Sequence, residues 1–382
     1  MKVAIFASQF YPHLGGVEEL CRQLAHRLGA IGVPNIVVTN RWPRSLPSHE
    51  VFEGIPIYRV AMRVPEGSLK ARVNYALTHG RLFAETEAIL TAQGIDVIHV
   101  QCVSSNAHYA LHASRALRLP LVVTLQGEFT MDASGLYERS ERARALLRET
   151  LTEADAITGV SRKTLSDVET FYGRPFGEKG HVIYNGANLD DFQGGAEYVH
   201  DRPYLLAIGR MVPQKGFDVL LRAYAQSGIT HLDLVLAGDG PILGDLQRQA
   251  QELKIGDRIH FPGRADRKMA PALFRGATFV VVPSRADEGL PLVVAETMAA
   301  GKAIIGTESG GIPEAVLNGQ TGYVVPKEDV SALCEALQRL ASNSETTRAM
   351  GLAGLERSRM FAWEEIARQY LELYEKVHSA AS

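Results

Sequence analysis

Short apolar runs alternate along this chain with longer stretches in which apolar residues recur every three to four positions. The runs VAIFA (3–7), IVVTN, DVIHVQ (96–101), LVVTLQG (121–127), AITGVS (156–161), LDLVLAG (232–238), FVVVPS (279–284) and AIIGT (303–307) are rich in β-branched residues and bounded by turn formers. Such runs read as strands buried on both faces, and the periodic stretches between them read as helices. Together they predict an α/β protein with parallel sheets covered by helices on either side. Around residues 186–202 the periodicity fails and Gly and Asp gather, which marks a boundary between two domains. A last amphipathic segment, FAWEEIARQYLELYEKV (361–377), carries an aromatic stripe of Phe361, Trp363, Tyr370 and Tyr374, read as packing surface.

Length supports the division, since 382 residues is about twice a common domain size. A content of 46% hydrophobic residues is enough for two cores, and a net charge of −3 gives no reason to expect a nucleic-acid partner. Cys21, Cys102 and Cys334 are odd in number and scattered, without a C-x-x-C pair, which suits a reducing compartment. The apolar run at residues 3–7 is too short for a signal sequence, and no stretch is long enough to cross a bilayer, so a cytoplasmic location is expected. Segment 68–90, with Lys70, Arg72 and Arg81, reads as an amphipathic helix packed on a sheet in preference to a membrane anchor. His108 and His112 lie four apart on an expected helix, but H-E-x-x-H is absent and no third metal ligand is evident.

Candidate chemistry concentrates in PSRADEGLPLVVAETMAAG (283–301). Glu288 falls in the loop after a strand, Gly289 permits a tight turn, and Pro291 suits the first helical position. Glu296 is then about two turns into the helix, and at about 1.5 Å per residue the carboxylates lie on the order of 10 Å apart. Between them are the free amides of the helix start, beginning at Gly289 and Leu290, which form an anion site. A ligand with hydroxyls at both ends and phosphate in the middle fits this order, as a nucleotide sugar does. A single E-x7-E pair also occurs on ordinary solvated helix ends. Segment LLAIGRMVPQKGFDVLLRAYA (205–225) adds a strand that breaks at Gly209 and delivers Arg210 and Lys215 ahead of a helix, cations suited to a departing diphosphate. Near the start, Gly15 and Gly16 stand at the mouth of a helix without a G-x-G-x-x-G dinucleotide signature.

With LAGDGP (236–241), ESGGIPEAVLNGQTGYVVP (308–326), ITGVSRKTL (157–165) and VIYNGANLDDF (182–192), these segments closely resemble the family-four retaining glycosyltransferases of the GT-B fold. The resemblance spans nearly the whole chain, is strongest over 204–326 and weakest over 40–95. It implies two Rossmann-like domains with parallel sheets facing across a cleft. Residues 1–190 would form the acceptor-binding domain, residues 191–360 the nucleotide-sugar domain, and the helix at 361–382 would cross back to the first. It further implies transfer of a UDP- or GDP-linked sugar to a hydroxyl acceptor with retention of configuration. Arg210 and Lys215 would stabilise the leaving diphosphate, Glu288 hold the sugar hydroxyls and Glu296 the ribose. Gly15, Gly16, Gln126, Gly209, Gly289 and Leu290 would complete the donor site, with His13, Gly16 and Glu128 facing the acceptor. No cofactor or metal is required, because two cations and a helix end neutralise the phosphates.

One departure concerns the segment Thr124-Leu125-Gln126-Gly127-Glu128, where many relatives carry His-Gly. Gln126 can hydrogen-bond a hydroxyl but cannot titrate near neutrality, so a general base there is excluded. This is compatible with a front-face mechanism in which the leaving phosphate accepts the acceptor's proton, and it leaves the donor sugar open. Acceptors consistent with the sequence are a sugar, a cyclitol, a growing glycan or a lipid-linked hydroxyl. A sugar-nucleotide epimerase or a non-catalytic sugar-nucleotide-binding regulator could share the fold. The epimerase lacks a readable acid–base dyad, and the regulator gives no reason to keep Arg210, Lys215, Glu288 and Glu296 together. A phosphorylase would need a pyridoxal phosphate lysine, for which Lys302 is poorly placed.

Overall fold

Each of the apolar runs named above forms a strand. The computed structural model describes residues 1–13, 15–64, 69–128, 135–266, 268–287 and 289–381, and its contacts group into two units, Met1–Tyr184 with Trp363–Ser382, and Asn185–Ala362. The first unit holds β1 (Val3–Ala7), β2 (Asn35–Asn40), β3 (His49–Phe52), β4 (Ile55–Val60), β5 (Val97–Gln101), β6 (Leu121–Leu125), β7 (Ala156–Gly159) and β8 (Gly180–Val182). Their order is β3-β4-β2-β1-β5-β6-β7-β8. The second holds β9 (Tyr204–Ile208), β10 (Asp233–Ala237), β11 (Ile259–Gly263), β12 (Phe279–Val282), β13 (Ala303–Thr307) and β14 (Gly322–Val325), in the order β11-β10-β9-β12-β13-β14.

All the described pairings are parallel, as expected, except at one edge of the first unit's sheet. There β3 and β4 form an antiparallel hairpin with Phe52 opposite Ile55. The turn residues Glu53 and Gly54 both have positive φ, +49° and +82°, as a two-residue hairpin turn with the native strand twist requires.

Alternation along the strands sorts side chains between the two faces of each sheet. In the second unit Leu205, Ala207, Leu234, Leu236, Phe279 and Val281 enter one core, while Tyr204, Leu206, Val235, Ala237 and Val280 enter the other. Both faces are therefore dry, and full burial of each such Leu or Phe contributes roughly 1.5–3 kcal/mol. In the first unit Ile98, Val100, Leu121, Val123, Leu125 and Ile157 build one core. The alternate positions His99, Thr124 and Thr158, all with 0% exposure, point the other way.

That second face is closed by helix Trp363–Ala381, whose Tyr370 and Tyr374 are buried against it. The Tyr374 hydroxyl lies 2.6 Å from His99 Nδ1, Thr124 Oγ1 lies 2.7 Å from His99 Nε2, and Tyr370 joins Thr124 at 3.0 Å. The aromatic stripe is packing surface, as its spacing suggests, but its two tyrosines also satisfy a polar network. Burial holds the His99 imidazole down at a pKa of about 3, so the ring is neutral.

Candidate functional site

In the second unit the loop leaving β9 carries both candidate cations, and it is held by backbone contacts on two sides. On one side Gly209 N–H donates to Ala237 O at 3.0 Å and Met211 N–H to Asp239 O at 2.8 Å. A Cβ on Gly238 would lie 1.9 Å from Gly209 O, and one on Gly240 would lie 2.3 Å from Met211 O. The glycines of LAGDGP thus exist to let this loop seat. On the other side Arg285 N–H donates to Gln214 O at 2.9 Å. Gly216 adopts a φ of +68°, and a Cβ there would lie 2.0 Å from Pro283 O. Arg210 projects from this frame exposed, with no ion pair among the described residues. Lys215 is half-buried at the end of a short 3-10 turn, Pro213–Lys215.

Glu288 lies outside the described residues, so its predicted separation from Glu296 is not among the measured distances. The residues beside it are fastened to the segment following β13. Thr307 Oγ1 donates to Ser284 O at 2.6 Å, Ser309 Oγ to Ala286 O at 2.5 Å and Gly311 N–H to Gly289 O at 2.8 Å. Asp287 accepts from Gly310 N–H at 3.0 Å and pairs with Lys327. Pro291 is the residue before helix Leu292–Ala299, with an extended backbone (φ −61°, ψ 127°). It therefore stands one place earlier than its sequence reading, and Glu296 is little more than one turn into the helix, not two. The amides of Leu292 and Val293 at the helix start have no intrahelical acceptor, which leaves them available to an anion, whereas Val294 N–H donates to Pro291 O at 3.0 Å.

Glu296 is half-buried, and its carboxyl has neither a hydrogen bond nor an ion pair with any described residue. Desolvation pushes it up to about 7, from an ordinary 4.5. An acid left unpartnered at this cost is a mark of a binding or catalytic site.

In the first unit Gly15 precedes helix Gly16–Ala30, and a side chain at Gly16 would meet nothing within 4 Å. His13 is half-buried and donates Nε2–H to Trp42 O at 2.8 Å, a turn contact. Gln126 Nε2 donates to Gln101 Oε1 at 3.0 Å. Glu128 is only 3% exposed, and its carboxylate accepts from the amides of Val103, Gln126 and Gly127 at 3.1, 3.0 and 3.2 Å. Its side chain, expected to face an acceptor, is instead spent on fixing the loop after β6 to the start of helix Ser105–Leu117. Beside that contact is a cavity of about 380 Å³ lined by Val103, Ser104, His108, Tyr137, Arg142 and Glu149. His108 and His112 contact different partners, Tyr75 at 2.8 Å and Glu87 at 2.9 Å. The sequence reading missed the supporting roles of Asp287, Lys327 and Gln101, whose partners lie too far along the chain for spacing to show. Among the described residues no helix is long and apolar enough to cross a membrane, and none of the three cysteines forms a disulfide.

Two family models match consecutive stretches, Glycosyltransferase Family 4 over residues 14–191 and Glycosyl transferases group 1 over residues 192–357. The chain is 25% identical over 378 residues to an uncharacterized glycosyltransferase of Methanocaldococcus jannaschii, covering 99% of each chain. It is 28% identical to a D-inositol 3-phosphate glycosyltransferase of Kribbella flavida, over 94% of this chain and 90% of that one. Its fold matches that of sucrose-phosphate synthase from Thermosynechococcus elongatus with a TM-score of 0.78 and 24% identity, covering 99% of each chain. With two α/β units of the expected topology and both family models in succession, the chain belongs to the family-four glycosyltransferases of the GT-B fold and is a transferase.

Proposed function

We propose that this enzyme transfers a sugar from a UDP- or GDP-linked donor to a hydroxyl acceptor with retention of anomeric configuration and without a catalytic metal. The observation that carries the reading is the unpartnered Glu296 carboxyl, one turn behind free helix amides and on the same unit as the braced Arg210–Lys215 loop. Glu296 binds the ribose hydroxyls, the helix start and the two cations bind the diphosphate, and Glu288 engages hydroxyls of the transferred sugar. As the glycosidic bond breaks, negative charge grows on the diphosphate, and Arg210 and Lys215 bind that charge more tightly than they bind the intact donor. The phosphate oxygen then accepts the acceptor's proton, which needs no titrating side chain at Gln126.

Gly15, Gly16 and Gln126 of the first unit take part in donor binding in this reading, as the family resemblance implies. Acceptor binding falls to the same unit, through His13, the backbone near Glu128 and the neighbouring cavity. Its polar rim of Arg142, His108 and Glu149 suits a hydroxylated acceptor such as a sugar, cyclitol, glycan or lipid-linked sugar. Three cysteines outside any disulfide fit a cytoplasmic location. The test is to incubate purified enzyme with UDP- and GDP-sugars and candidate acceptors in EDTA, and to read the anomer of the product by NMR. Retained configuration with turnover in EDTA is expected. An inverted product, or turnover restored only by Mg²⁺ or Mn²⁺, overturns the mechanism.

A further inference from the structure

Two histidines and an aspartate converge at the amino-terminal ends of β10 and β11, away from the donor residues. Asp233 is the first residue of β10, and His260 lies on the adjacent strand opposite Val235. The segment leading into β9 brings His200 to the same point. The Nε2 atoms of His200 and His260 each lie 3.1 Å from a single oxygen, Oδ2 of Asp233. The two rings stand nearly perpendicular, at 75°, with centroids 4.4 Å apart. Asp233 is 3% exposed, and its other oxygen, Oδ1, is buried without a hydrogen-bond partner among the described residues.

We propose that His200, Asp233 and His260 bind one divalent transition-metal ion of the zinc class, at a site separate from sugar transfer. A tetrahedral ion with bonds of about 2.0–2.2 Å holds its ligand atoms roughly 3.3–3.5 Å from one another. Here the three atoms already lie within 4.8 Å of one another, with the two N···O separations at 3.1 Å, so modest side-chain shifts bring them to coordination distances. Two imidazoles and one carboxylate are a donor set suited to zinc, nickel or cobalt, with a fourth position left for water. Hydrogen bonding alone explains the cluster less well, since it places two N–H donors on one oxygen and leaves a buried oxygen of the same group without any.

Arg202 is the competitor, because its Nε lies 3.6 Å from Asp233 Oδ1, although its side chain is 45% exposed and can swing into solvent. Position separates this ion from catalysis. Arg210 and Lys215 follow the carboxyl end of β9, whereas the cluster sits at the opposite end of the same sheet, a strand length of about 16 Å away. The ion would tie residues 198–202 to the sheet edge.

The test uses the full chain without a histidine tag, stripped with chelator and titrated with ZnCl2 by calorimetry, with CoCl2 absorption as a second readout. One equivalent bound, a rise in Tm and the intense visible bands of tetrahedral Co²⁺ are expected. His200→Gln and His260→Gln, which keep a donor for Asp233, should each weaken binding at least about tenfold. Arg202→Gln should tighten it. Absence of a stoichiometric site, or equal binding by the double variant His200→Gln/His260→Gln, overturns the proposal.

Discussion

Glu296→Gln separates what the carboxyl costs the fold from what it gives the ligand. Burial raises the group from 4.5 to about 7. At 1.36 kcal/mol per pH unit this corresponds to about 3 kcal/mol, an upper bound because the half-buried group keeps some contact with water. Between pH 4.5 and about 7 the native protein holds a proton that the unfolded chain has released, so this contribution to stability is full below pH 4.5, is lost as pH rises, and stays lost above 7. Glutamine carries no such penalty, so the variant should be the more stable at pH 8 and close to wild type at pH 4.5. Donor binding should run the other way. If the ribose hydroxyls engage only the carboxylate, wild-type donor Kd should weaken up to roughly 100-fold between pH 8 and pH 5. In the variant it should be weaker at pH 8 and flat with pH, with turnover little changed because the ribose does not react. Differential scanning fluorimetry and calorimetric titration with a nucleotide sugar, whose phosphates stay ionised over this range, measure both. A wild-type Kd independent of pH, or a pH slope that survives in Glu296→Gln, refutes the assignment.

Lys215→Ala should lower turnover 100- to 1000-fold, about 2.7–4 kcal/mol, with a smaller effect on donor affinity, and steady-state kinetics with near-normal turnover would exclude the proposed role. Gly216→Ala sets a Cβ 2.0 Å from Pro283 O at a positive φ, so it should cost more than about 1 kcal/mol in urea denaturation and reduce turnover by shifting Lys215. For His99, burial lowers the folded pKa from 6.5 to about 3, so the stability it contributes is full above pH 6.5 and is lost as pH falls toward 3. His99→Gln should therefore show a shallower loss of Tm between pH 6.5 and 4 than wild type, and an equal loss would mean the ring does not limit acid stability.

The parts of the fold legible in the sequence were those whose signal is local. β13 coincides with AIIGT because an apolar β-branched run there is bracketed by Gly301 and by Ser309-Gly310. The hairpin at β3 and β4 was illegible because HEVF is an edge strand with mostly accessible side chains, and its turn is marked only by Glu53-Gly54. At the site, Arg210, Lys215 and Glu296 stood out by residue type after a strand. What braces them did not, because Gly238 matters through the carbonyl of Gly209 and Gly216 through that of Pro283, contacts set by tertiary structure. Glu128 shows the converse. The family resemblance set it facing an acceptor, and only the positions of three amides reveal an internal role for its side chain. The His200–Asp233–His260 cluster likewise depends on the register of β10 with β11, which no spacing encodes.

Because residues 363–381 belong to the first unit, that unit cannot be finished when its own strands have left the ribosome. Between Tyr184 and Trp363 the whole second unit must be made, which at 5–20 residues per second takes roughly 10–40 s. During that interval His99, Thr124 and Thr158 lack the tyrosines that later cover them. A nascent chain is thus exposed on the face of its earliest sheet until its latest helix arrives, and premature termination after the second unit would damage the amino-terminal half of the molecule.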